Sequence, residues 1–175
     1  MTDNLIYEEK VSSIWTEALF ASFTILFFVL LVWQISTDSL DILSATFFLL
    51  FIFFFFYAVN YRTLIIRLTP ESLKLKFGIF TWTIPLDNIG ECRHDDLPVF
   101  MKYGGAGIHF MWIRKRYRAS FNFLEHPRVV IAFKRKVGIV RDISFSTRYP
   151  DEVIRLLQSA ASSWVSGLPT TQPAP

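Results

Sequence analysis

Two runs of 20 residues without a charge lie close together near the start of the chain, Ala18 to Thr37 and Ile42 to Tyr61. About 20 helical residues at ~1.5 Å each span the ~30 Å hydrocarbon core of a bilayer, so each run predicts a membrane-spanning helix. Only Asp38, Ser39, Leu40 and Asp41 separate them. That is too short for another element, and the pair is expected to form a tight hairpin whose two ends return to the same side. The chain then divides into an N-terminal segment (residues 1–17), the transmembrane hairpin (18–61), one domain near the usual domain size (62–165) and a disordered tail rich in Pro and Thr (166–175).

Residues 1–17 carry Asp3, Glu8, Glu9 and Glu17 against Lys10 alone, the opposite of the positive start of a signal peptide. The first helix is therefore expected to be a permanent anchor. Lys and Arg beside membrane segments stay on the cytoplasmic side; the connecting loop has none, whereas Arg62, Arg67, Lys74 and Lys76 follow the second run. The expected location is the cytoplasmic (inner) membrane, crossed twice, with the N-terminus and the C-terminal domain inside. Trp15, Trp33, Tyr57 and Tyr61 fall near the ends of the spans, where amphipathic rings favour the headgroup layer. Nothing ionisable interrupts either run, and ion or proton pathways are marked by such residues. An anchor packed on itself or on a neighbour is expected rather than a channel.

After Tyr61 the apolar pattern changes from helical to alternating. Leu64 to Leu68, Ser72 to Phe77, Phe80 to Ile84 and Ile89 to Asp95 read as four meandering strands, with Leu73, Leu75 and Phe77 on one face and Lys74 and Lys76 on the other. Gly104, Gly105 and Gly107 permit a sharp bend. His109 to Ile113 with Ala119 to Phe123, and Val129 to Phe133 with Ile139 to Phe145, then read as two hairpins. Pro150 suits the first turn of a helix, and Asp151 and Glu152 complement its dipole. Val153, Leu156, Leu157, Ala160 and Trp164 form one apolar stripe that caps the sheet, and Gly167 ends the helix.

Seven or eight short antiparallel strands closed by a C-terminal amphipathic helix outline a pleckstrin-homology-like (PH-like) barrel. The pieces LTPESLKLKFGIFTWTIPLDNI, YGGAGI, RASFNF, RVVIAF and ISFSTRYPDEV, in that order over about residues 64–160, resemble the bacterial PH domain family, in which such domains often follow a pair of transmembrane helices. The resemblance implies a membrane-anchored α+β chain, a two-helix hairpin followed by a PH-like antiparallel β-barrel or sandwich, with no general catalytic residues. Where the family's bend often has a large aromatic, this chain has Ala106.

Charge is unevenly distributed. Residues 1–61 hold one basic residue against six acidic, and residues 62–175 hold 17 against nine, within a net charge of +3. A basic domain beside a membrane is drawn to anionic headgroups, by ~1 kcal/mol per nearby Lys or Arg. Nucleic acid is the other polyanion such a charge matches, but it is not an expected partner here. The cations concentrate at the two hairpin tips, Arg114, Lys115, Arg116 and Arg118 on one and Lys134, Arg135 and Lys136 on the other. If both tips project from one end of the barrel they form a cationic rim for a phosphate headgroup or a partner, Arg supplying bidentate forks and Lys point charges. Charged tips also serve to keep turns soluble and protect strand edges.

The single Cys92 excludes an internal disulfide and fits a reducing compartment. Cys92, His94, Asp95 and Asp96 offer metal ligands, with His109 and His126 as further donors, but no paired Cys or His spacing marks a zinc site, and a buried cysteine on a solvated strand end is expected instead. No nucleophile elbow, HExxH or P-loop is present. The YGGAG glycines lack the following Lys-Ser/Thr of a phosphate loop. A non-enzyme without a cofactor is therefore expected: a binding or scaffold module that presents its basic domain at the inner leaflet to a protein partner or to a second copy of itself. The alternatives are an anionic-lipid sensor and an accessory subunit of a membrane transporter or enzyme complex.

Overall fold

The structure, a computed structural model, describes residues 4–37, 41–96, 107–113 and 115–166, with side chains through 162. Gly104, Gly105, Ala106, Arg114, the Trp164 side chain and the tail from Gly167 onward lie outside the described residues, as do residues 38–40 of the hairpin loop.

The two apolar runs form α1 (Ile14–Thr37) and α2 (Ile42–Asn60), both long and apolar enough to cross a membrane. Asp41 caps α2, its carboxylate accepting from the Ser44 amide at 2.8 Å. Hydroxyls within the helices return to the backbone, Thr24 to the Phe20 carbonyl and Thr46 to the Ile42 carbonyl at 2.8 Å each, so they expose little polarity to an apolar solvent. The phenylalanines form the seam between the helices: Phe54 stacks on Phe23 and Phe27, and Phe20 meets Tyr57 with ring centroids 5.2 Å apart.

A strand precedes the hairpin, a departure from the sequence expectation. β1 (Tyr7–Ser12) pairs antiparallel with β2 (Thr63–Leu68), which follows α2. Residues 1–17 thus contribute the edge of a sheet, and the hairpin is an insertion within the domain. The strand escaped notice because one of its inward positions is an acid. Glu9 is buried, accepting from the Arg148 amide at 2.8 Å, from the Tyr7 hydroxyl at 3.0 Å and from the Thr147 hydroxyl. Burial and the neighbouring carboxylate push the Tyr7 hydroxyl pKa up.

β3 (Ser72–Phe77) and β4 (Phe80–Pro85) complete a four-stranded sheet in the order β1-β2-β3-β4. The expected fourth strand of that meander, β5 (Ile89–His94), crosses instead to the second sheet. A 3-10 turn, Leu86–Asn88, redirects the chain there. Its buried Asn88 bonds both backbone groups of Arg135, accepting from N at 2.7 Å and donating to O at 3.0 Å. That second sheet holds β6 (Gly107–Ile113), β7 (Arg116–Asn122), β8 (Arg128–Val137) and β9 (Val140–Ser146) in the order β5-β8-β9-β7-β6. Both expected hairpins form, but β7 pairs parallel with β9, so the nine strands among the described residues are not all antiparallel.

The apolar faces of the sheets enclose the core. Leu64, Ile66, Leu75 and Phe77 of the first meet Phe121, Ile131, Ile143 and Phe145 of the second. α3 (Pro150–Ser166) closes one side with Val153, Leu157 and Ala160.

Candidate functional site

The parallel pairing of β7 with β9 fixes the relation of the two basic tips. Arg118 lies opposite Asp142 and Phe121 opposite Phe145, so both strands leave their tips in the same direction and the tips share one end of the sheet. The other end belongs to the helices. The Leu124 amide donates to Thr16 Oγ1 at 3.4 Å, His126 Nε2 donates to the Ser12 carbonyl at 2.8 Å, and Gly107 rests against Tyr61. A strand of seven residues separates the ends, roughly 20 Å at ~3.3 Å per residue.

The seven candidate cations do not play equal parts. Lys115, Lys134 and Lys136 are exposed. Lys115 sits in the tight turn with φ 64°, a left-handed conformation uncommon outside glycine. Arg116 is half exposed and bonds Asp142 at 3.2 Å. Arg135 pairs with Asp87. Arg118 is only 3% exposed and lies beneath the rim, its guanidinium 3.1 Å from Asp95 and 3.7 Å from Asp142. Arg114 lies outside the described residues.

Beside these tips runs an aromatic strip that charge-based reading missed. Among the described residues β6 is an outer strand, with Phe110 and Trp112 exposed. Phe110 stacks on Tyr117 at 5.9 Å, and Trp112 approaches the same ring at 6.1 Å. Ile139 stands exposed at the neighbouring tip. The run from Ile108 to Ile113 is apolar at nearly every position, so alternation could not assign an outward face.

The outward face of the five-stranded sheet was also missed. Arg118, Ser120 and Asn122 of β7, Asp142, Ser144 and Ser146 of β9 and Arg128 of β8 are all buried. Ser120 and Ser144 share a hydrogen bond at 2.8 Å. Asp95 Oδ2, Arg118 Nε, the Asn122 amide and both His109 ring nitrogens have no hydrogen-bond partner among the described residues. Burial, reinforced by the nearby Arg128 charge, holds the His109 imidazole below its ordinary pKa.

Cys92 and His94 part company. Cys92 faces the core, and burial pushes its thiol up to about 12. His94 is exposed and lies 2.9 Å from Asp151 in the first turn of α3. Among the described residues no three His, Cys, Asp or Glu side chains gather as metal ligands do. Comparisons with protein-family models, with curated proteins and with solved structures gave no match to this chain.

Proposed function

We propose that this chain is a membrane-anchored binding module in the cytoplasmic membrane, PH-like in character, whose basic and aromatic sheet end receives a protein partner or a second copy on the inside. The observation that carries this reading is the placement of β1 and β2 on either side of the hairpin. Two adjacent strands lead into two adjacent helices, so the domain is held by a double connection. The tips with Lys115, Lys134 and Lys136, and the Phe110–Trp112 strip, occupy the sheet end away from the helix roots. Exposed aromatics and Arg are what protein interfaces favour at their centre, with the lysines left to a polar rim.

The PH-like part rests on the order of the five sequence pieces and on two packed sheets closed by a C-terminal helix. The strand ahead of the hairpin and the parallel β7/β9 pair are this chain's differences from an antiparallel barrel. Recognition of anionic lipid by the tips is the weaker reading, because the helix roots and the tips lie at opposite ends of the sheet. A role as accessory subunit is one form of partner binding.

Cross-linking of the full chain in its membrane, from photoreactive residues at Trp112 and Lys136 and read by mass spectrometry, tests the proposal. Adducts to one protein, or to a second copy, are expected at both sites. Recovery of monomer alone would overturn it.

A further inference from the structure

The chain makes the same two-residue turn twice. Gly78-Ile79 joins β3 to β4 and Gly138-Ile139 joins β8 to β9, each with glycine at positive φ, 58° and 61°, followed by an isoleucine that is 70% exposed. The surroundings differ. Among the described residues nothing lies within 4 Å of where a Cβ at Gly138 would stand, whereas at Gly78 that position collides with the Asn60 carbonyl oxygen, at the end of α2. Phe80, the next residue after Ile79, lies 6.4 Å from Phe56 of α2 and stacks at 6.3 Å on Tyr61. The first turn is therefore pressed against the root of the hairpin, and its exposed isoleucine continues the apolar surface of α2, where Phe53, Phe56 and Val59 are also exposed.

We propose that the β3–β4 turn is a foot that seats Ile79 in the boundary between lipid headgroups and acyl chains beside α2, so that the domain rests on the bilayer. This rests on the reading that α1 and α2 span the membrane. The occupant of this surface is lipid, because the surface is continuous with the lipid-facing side of the helix. Lys76 and Lys10 flank Ile65 on the outward face of the same sheet, two residues farther from the root, or ~7 Å. That is within reach of the headgroup layer for a side chain with a long apolar stem. Glu17 and Arg62, 3.7 Å apart, mark the polar side of the same boundary.

The repeated turn supplies its own control. Ile79→Cys, Ile139→Cys and, on the exposed face of α2, Leu49→Cys are made in the full chain, labelled with an environment-sensitive fluorophore and reconstituted in vesicles with and without spin-labelled lipid. Cys92, buried and protonated, stays unlabelled in the parent, and its continued protection in each variant reports a native fold. The expected result is a blue-shifted emission, quenched by spin-labelled lipid, at positions 49 and 79, with an aqueous, unquenched signal at 139. An apolar signal at 49 with equal, aqueous signals at 79 and 139 would overturn the foot alone. An aqueous signal at all three positions would overturn the membrane-spanning reading and the foot with it.

Discussion

Ser12 lies opposite Thr63 at the last rung of the β1–β2 ladder, so the residues that lead into α1 and out of α2 are neighbours in one sheet. The domain is therefore complete only when both sides of the hairpin contribute. A fragment spanning residues 62–166 lacks β1 and leaves β2 as an edge strand over a core that has lost Val11, and it is expected to aggregate. Joining residues 4–12 to 63–166 through a short Gly/Asn hairpin loop should restore a monodisperse soluble domain, as size-exclusion chromatography of the two proteins would show.

Glu9 ties β1 to the segment between β9 and α3. Glu9→Ala would leave the Arg148 amide and the Thr147 and Tyr7 hydroxyls without their acceptor and is expected to cost about 3 kcal/mol. Glu9→Gln keeps an accepting oxygen and should cost less. Denaturant titration of the full chain in detergent micelles would measure both.

Arg118 pairs with Asp95 at 3.1 Å, both side chains buried, and also approaches Asp142. Removing it by Arg118→Met strands buried carboxylate charge and is expected to cost roughly 3 to 5 kcal/mol. Exposed Lys136→Met should cost under about 0.5 kcal/mol. A larger loss at Lys136 than at Arg118 in thermal unfolding would contradict the buried network.

The two turn glycines separate backbone strain from collision. Gly138→Ala forces an alanine into the left-handed region with none of the described residues crowding its Cβ and is expected to cost about 1 kcal/mol. Gly78→Ala carries the same strain and also drives its Cβ into the Asn60 carbonyl, with an expected cost above about 3 kcal/mol. Comparison of unfolding midpoints would reveal the difference.

His109 titrates below its unfolded value because burial and Arg128 disfavour the imidazolium. With the folded pKa depressed, the unfolded chain binds the proton more readily. Stability from this residue is therefore complete above pH ~6.5 and falls as the pH drops below that value. Unfolding midpoints of the parent and of His109→Gln, measured from pH 8 to 5, should keep a constant offset above pH ~6.5, and the parent should lose stability relative to the variant as the pH falls below that value.

Some of this architecture was legible in the residues and some was not, for physical reasons. The helices follow from uninterrupted apolar length. β2 to β4 and the two later hairpins follow from alternation and turn glycines, with boundaries within a few residues. Three features broke the rules that sequence reading depends on. Glu9 put a carboxylate on an inward position and hid β1. Asn88 used a side-chain amide to bind backbone and so carried the chain from one sheet to the other. Arg118, Ser120 and Asn122, alternating with Ala119 and Phe121, carry the pattern of a solvated strand face, yet all three are buried. The candidate rim was half legible: charge marked the tips, and only the parallel β7/β9 register brought them together.

The insertion of the hairpin between β1 and β2 also sets a timetable for synthesis. Glu8 waits for a partner, Arg67, that lies 59 residues further along the chain, a delay of roughly 3 to 12 s at ~5–20 residues per second. During that interval α1 and α2 are made, and β1 remains an unpaired ribbon. Assembly of the sheet thus waits until the hairpin has been made, and a ribosome that stalls inside α2 leaves a nascent chain with an apolar helix and a strand that has nothing to zip to.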